Sequence, residues 1–441
     1  MANLPGPGRN PRYRRWRWQI FAITWLAYAG FYLTRKCFAV AKIELAKPDV
    51  MGLSKADMSW MDGVNSGAYA FGQFGWGMMG DKLGTRAVVL MGMLGSVIAA
   101  MLSGGANTVL ALGVLLAAQG LVQASGWAPL AKNIGEFFSR HERGRVMGWW
   151  CTNYALGGFI ASALAGVAVQ WGGSWRYAFW LPALCLLLIW VLFIIFQRNR
   201  PEDAGLPAIE RYRGEPEDVP APDGRLGQEL EGSWKIVGEV LRNRIVWLLA
   251  TVYFLIKPTR YLFLYWSPVY VRERLGTGTA ESAILSSMFD LAGPIGTLAG
   301  GYVSDRMFQS KRMPVAIIAL LSLAVLMVSF RYLPLTRLAI GAGLFMAGFL
   351  MYIPDSLISG TAAIDFGTKK GASTASGLIN GCGSIGQIIG VTLPGWIGKL
   401  LSQGHEIWNA IFLGLGVSLA LAALLLVPQW NRVPAAAIRA R

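Results

Sequence analysis

Apolar runs of about twenty residues, separated by short charged segments, recur twelve times along the 441 residues. They fall near 18–45, 58–80, 87–104, 108–135, 145–170, 175–197, 245–271, 282–303, 313–331, 336–361, 372–399 and 405–428. A helix rises about 1.5 Å per residue, so about twenty apolar residues cross the hydrocarbon of a bilayer, whereas barrel strands are shorter and alternate. A composition of 54% hydrophobic and 15% charged residues, with mean hydropathy +0.45, rules out a soluble chain of this size. The expected fold is an all-α membrane protein of twelve transmembrane helices.

The net charge of +16 would suit a nucleic-acid binder, but its distribution argues against one. Most of the 40 Lys and Arg residues fall on one side of the membrane. They include Arg9, Arg12, Arg14, Arg15 and Arg17 before the first run, Lys82 and Arg86, Arg140, Arg143 and Arg145, the cations of the 198–244 loop, and Lys369 and Lys370. Positive loops stay cytoplasmic, so both termini are expected inside a plasma (inner) membrane. Cys37, Cys151, Cys185 and Cys382 lie in apolar runs without motif spacing and read as packing residues, so no metal site is expected. The basic N-terminus leads into a long first run without a small-residue cleavage pattern, unlike a signal peptide.

The two halves of the chain repeat the same words. Thr34-Arg35-x-x-Phe38 returns as Thr259-Arg260-x-x-Phe263, and Gly77-x-x-x-Asp81 returns as Gly301-x-x-x-Asp305. Pro129 is echoed by Pro354, and Asn153 by Asn380. Two six-helix halves on one plan, 1–197 and 244–441, are what a transporter with parallel repeats shows, with its site near the midplane. Between them, 198–243 is rich in proline and charge and reads as a solvated linker, with a surface-lying amphipathic helix over Leu226–Arg242. From Gly77 to Arg86 the chain reads G-x-x-x-D-x-x-G-x-R. This pattern resembles the loop signature of the major facilitator superfamily, and Asp81, Arg86, Asp305 and Arg306 become candidate gating residues.

Arg35 lies in the middle of the first run, where a bare arginine costs about 2.5–3.5 kcal/mol, and Arg260 is its repeat equivalent. Each offers a planar fork suited to bidentate bonds, so phosphate or a phosphate ester is the expected ligand. Lys257 shares the helix face of Arg260; it contacts the ligand or pairs with Asp290 or Asp355, which are also candidate proton sites. Gln119, Gln123 and Trp127 form one stripe, and Tyr154 and Asn380 belong to others. Such groups either meet an organic moiety or tie helices together. Tyr32, one turn before Arg35, is the better ligand candidate. His141 and His405 stand far apart and no phosphate-cradling G-x-x-x-x-G-K-[ST] loop occurs, so neither enzymatic chemistry nor a cofactor is expected.

Five further pieces carry a closer resemblance: Tyr32-Leu-Thr-Arg-Lys-Cys-Phe38, Gly120-Leu-Val-Gln-Ala-Ser-Gly-Trp-Ala-Pro129, Glu142-Arg-Gly144, Arg260-Tyr-Leu-Phe-Leu-Tyr-Trp-Ser-Pro268, and Lys369-Lys370 with Ala375-Ser-Gly377. Together they resemble the organophosphate:inorganic phosphate antiporters of that superfamily. The resemblance implies exchange of a phosphorylated organic solute for inorganic phosphate, with Arg35 and Arg260 binding phosphate and Tyr32, Gln123 and Trp127 at cavity positions; the chain is expected to work as a monomer. The chain departs from the glycerol-3-phosphate members at Gln73, Tyr154 and Lys257, and from a hexose-phosphate member at Ile388. Phosphate handling is therefore expected while the organic part of the substrate stays open. Two alternatives share the same arginines: a membrane sensor of external sugar phosphate, and a proton-coupled organic-anion symporter using Asp290 or Asp355.

Overall fold

A computed structural model describes residues 10–213, 238, 240–309, 311–358, 372–401 and 404–431. Twelve spans are traced, several of them in two pieces. The first is Pro11–Arg35 continued by Cys37–Leu45. Lys55–Gly105 holds the second and third, divided at Gly84, whose φ of 79° leaves the helical region. Only glycine takes that conformation cheaply, and the bend therefore needs no intervening loop. Val109–Gln123 with Trp127–Phe137, Arg140–Trp150 with Thr152–Gly172, and Tyr177–Phe196 complete the first six. Arg244–Leu275, Thr279–Ser286 with Met288–Arg306, Arg312–Ser329, Arg337–Ser356, Ala372–Leu400 and Gly404–Leu426 form the second six. Among the described residues, nine helices are long and apolar enough by themselves to cross a membrane. The first span carries Arg35, Lys36 and Lys42 within its length and is not among the nine.

By contact the chain divides into two compact units, Met1–Cys37 with Gly67–Ala221, and Phe38–Ser66 with Pro222–Arg441. The outer part of the first hairpin, 38–66, thus packs with the second half of the sequence.

The basic arm is shorter than the sequence suggests. Asn10 caps a helix that already starts at Pro11, its side-chain oxygen accepting the Arg12 and Tyr13 amides at 3.0 and 3.3 Å. The solvated linker expected over 198–243, a composition poorly suited to regular structure, is ordered in its first part. Pro201–Ala204 forms a 3-10 turn and Ile209–Arg213 a short helix. Tyr13, Ala204, Leu206 and Ile209 make a small buried cluster, with Tyr13 stacked on Tyr212 at 4.2 Å. Arg12 Nη2 donates to the Ala204 carbonyl at 2.9 Å, and Glu142 takes both Arg17 and Arg213. Most of the proposed Leu226–Arg242 helix lies outside the described residues.

In the second unit, glycines let the eleventh span lie directly on the seventh. A Cβ at Gly386 would fall 2.3 Å from the Phe254 carbonyl, one at Gly390 2.4 Å from that of Pro258, and one at Gly383 2.6 Å from the Tyr253 ring. Backbone cannot yield as a flexible side chain can. Gly386→Val is therefore expected to cost about 2–3 kcal/mol, read as a lowered unfolding temperature in detergent, and an unchanged temperature would contradict this packing.

Candidate functional site

In the first unit the site is built around Arg35, the last helical residue before a local break. Lys36 caps that helix, its amide donating to the Tyr32 carbonyl at 3.1 Å. Arg35 is 8% exposed. Its Nε donates to Gln123 Oε1 at 2.9 Å, and its guanidinium stands 4.7 Å from the Tyr32 ring centre and 4.8 Å from that of Tyr69. Two aromatic faces and an amide oxygen thus hold the cation where lipid would not. Gln123 also donates to Thr34 Oγ1 at 3.0 Å, while Gln119 donates to the Thr34 carbonyl at 2.7 Å. The glutamine stripe ties the fourth span to the first, and through Gln123 it orients the arginine as well.

Beside this lies an aromatic group. Tyr28 is 5.9 Å from Tyr32 and 5.2 Å from Trp127, and Trp127 is 6.3 Å from Tyr154. Tyr32, Gln123, Trp127 and Tyr154 are therefore joined to Arg35 through contacts within one unit. Tyr69 was not singled out by the sequence. It lies one turn before Gln73, which is exposed, and a tyrosine at that spacing inside an apolar run is the signal that points to it.

In the second unit the seventh span presents Tyr253, Lys257 and Arg260, spaced four and three residues apart, to Asp355 of the tenth. Lys257 Nζ lies 3.2 Å from Asp355 Oδ1, Arg260 Nη1 2.5 Å from Oδ2, and the Tyr253 hydroxyl donates to Oδ1 at 3.0 Å. Lys257 is 7%, Arg260 8% and Asp355 3% exposed. The sequence left Lys257 between ligand contact and ion pair; here it is paired, and Asp355 is the partner. Asp290 accepts the Tyr352 hydroxyl at 3.3 Å, and the Tyr352 ring lies 5.0 Å from the Arg260 guanidinium. Two cations on one carboxylate leave a net positive charge among these three groups, in surroundings that amplify it. Such a cluster attracts an anion.

Asn380, by contrast, is exposed, and its carbonyl takes the Ser384 hydroxyl. Among the described residues Arg86 meets carbonyls. Its guanidinium donates to Ile194 and Gln197 at the end of the sixth span, where the helix dipole is negative. Arg306 is exposed, 5.9 Å from the Tyr302 ring. Asp81 and Asp305 are helical in backbone, and their side chains lie outside what is described, as do Lys369 and Lys370.

The family model described as Major Facilitator Superfamily matches residues 24–390. The chain belongs to the major facilitator superfamily. It is a multi-pass membrane transporter and not an enzyme. Among superfamily members, the glycerol-3-phosphate transporter of Bacillus subtilis is 31% identical over 426 residues, covering 95% of this chain and 93% of its own. The membrane sensor protein UhpC of Escherichia coli is 30% identical over 424 residues, covering 95% and 93%. The D-xylose-proton symporter structure superposes with a TM-score of 0.72 at 15% identity, over 95% of this chain and 98% of its own. That last likeness speaks for the fold alone.

Proposed function

We propose that this transporter exchanges a phosphorylated organic solute for inorganic phosphate by alternating access, with Arg35 and Arg260 as the phosphate ligands. The observation that carries the reading is the net positive cluster of Lys257 and Arg260 on Asp355, together with its repeat counterpart Arg35 held ready between Tyr32 and Tyr69. Phosphate suits guanidinium forks, and a lysine beside one adds charge without demanding geometry. Tyr32, Gln123, Trp127 and Tyr154 offer hydroxyl, amide and ring faces to the organic part; Asn380 is retained as a further contact from the eleventh span. Asp355 neutralises part of the cluster when no substrate is bound, and Asp290 is the second carboxylate within reach of a charge role. The working unit is a monomer in the plasma membrane with both termini cytoplasmic, gated by Asp81, Arg86, Asp305 and Arg306. The halves 1–197 and 244–441 act as the moving bodies, joined through 198–243.

Bound phosphate offsets cations that otherwise resist closure, so exchange is favoured over net movement. Proteoliposomes preloaded with phosphate are expected to take up labelled phosphate at least about tenfold faster than empty ones. Equal uptake would defeat the exchange reading. The similarity to UhpC favours one rival, a sensor of external sugar phosphate. Saturable phosphate binding without uptake into preloaded vesicles would select it.

A further inference from the structure

Lys42 and Asp62 have no part in the phosphate reading, yet they form an ion pair that is 0% and 2% exposed at the level of the first two spans. The ammonium does more than neutralise Asp62. It donates to the Tyr265 carbonyl at 3.0 Å and stands 3.9 Å from the ring centre of Trp266, whose Nε1 donates to the Val391 carbonyl at 3.0 Å. One side chain of the first hairpin therefore grips the seventh span and, through Trp266, the eleventh. Tyr265 and Trp266 follow Arg260 on the same continuous helix, so a movement of that helix acts on the arginine and on this grip together.

The surroundings combine close approach with separate polar contacts: a Cβ at Gly395 would fall 2.6 Å from Ser59, and one at Gly63 3.0 Å from Thr392. Segment 38–66 meets the second-half helices through separate polar contacts: Lys55 to Glu273 at 2.9 Å, Gln387 to Ser66 at 3.1 Å, and Thr279 to Glu44. A groove of about 340 Å³, lined by Ser59, Trp60, Gly63, Thr392, Trp396 and Lys399, stays open between the segment and the eleventh span. A groove left unfilled beside these contacts makes the interface cheaper to open than one close-packed along its whole length.

We propose that Lys42 is a positioning residue for transport: it fastens segment 38–66 to the helix carrying Arg260, and its release from Tyr265 and Trp266 is a step of the cycle. Asp62 travels with it as a built-in counter-ion, so the ammonium is never bare in the membrane when the grip opens. This rests on the transport reading above, and its test is chosen to be independent of phosphate.

The reporter is Ser66→Cys, at a position 2% exposed, in a chain whose four cysteines are replaced. Labelling by a membrane-impermeant maleimide is measured without phosphate. Lys42→Met with Asp62→Leu removes both charges together, and the exchange of the two residues, Lys42→Asp with Asp62→Lys, keeps the pair but moves the ammonium to the other helix. Losing a charged hydrogen bond and a cation–ring contact is expected to raise labelling about tenfold in both. A merely structural pair would leave the swapped chain at the parental rate. In exchange assays the half-saturating phosphate should shift in opposite senses on the two faces, as a changed resting population requires. Parental labelling in variants that reach the membrane overturns the proposal. Should both double variants fail to accumulate, Trp266→Leu removes the ring beneath the ammonium while leaving both charges, and parental labelling there overturns it equally. Failure of phosphate exchange in the parent would leave the labelling result standing and would count against the transport reading instead.

Discussion

Arg260→Lys is expected to lower phosphate exchange at least about a hundredfold, close to 2.7 kcal/mol of lost transition-state or binding energy, while the protein still reaches the membrane. Lysine keeps the positive charge, so bulk attraction of the anion and the pairing with Asp355 both survive. What disappears is the fork. In the structure Arg260 gives one guanidinium nitrogen to Asp355 Oδ2, and a guanidinium plane carries five N–H donors in a fixed fork where an ammonium has three about a point. A lysine ammonium drawn to the same carboxylate has neither the reach nor the parallel donors to hold both anions. At Arg35 the swap removes a second feature, the Nε donation that Gln123 accepts at 2.9 Å, so the side chain also loses its orientation between Tyr32 and Tyr69. Exchange in proteoliposomes, with unfolding temperature as the control, is the measurement. Exchange within threefold of the parent in Arg260→Lys would show that the guanidinium plane is not what receives phosphate.

The architecture could be read ahead of the coordinates because its cause is local and repeated. A bilayer demands about twenty apolar residues per crossing, and each run announces itself without reference to any other. The same economy exposed Arg35 and Arg260: an arginine inside such a run is conspicuous by cost alone. Lys42 and Asp62 satisfied that criterion equally, yet lacked a repeat counterpart to draw attention, and their pairing joins two helices through contacts that no periodicity encodes. The ordered stretch 201–213 escaped for a related reason. Pro201, Glu202 and Asp203 have the composition of a solvated linker, and the partners that order the segment, Tyr13 and Arg12, lie almost two hundred residues earlier. Nor did composition reveal that segment 38–66 packs with the second half of the chain, since its apolar pattern is continuous with the helix before it. The choice between ligand contact and ion pair for Lys257 turned on which of two acids stands opposite, and Tyr253 completes the geometry by donating to the same Asp355 oxygen.

That shared carboxylate makes Asp355→Leu the other large effect. Two cations would be left facing each other at 7% and 8% exposure with no carboxylate between them. Removing one partner of a buried pair typically costs about 3–5 kcal/mol, enough to deplete the protein from the membrane or to lower its unfolding temperature sharply. Adding Lys257→Met should recover at least about half of that loss, because among the three groups the double variant returns to the parental net charge. Lys257→Met alone makes the cluster neutral, so phosphate should bind more weakly; Asp355→Asn alone leaves it doubly positive, so phosphate should bind tighter and leave more slowly. A double-mutant cycle on stability and on half-saturating phosphate separates the two roles. If Asp355→Leu proved as stable as the parent, Asp355 would not be the counter-ion of this cluster. If stability obeyed the cycle while phosphate affinity ignored the net charge, the cluster would be a structural clamp and the anion would be received elsewhere on the chain.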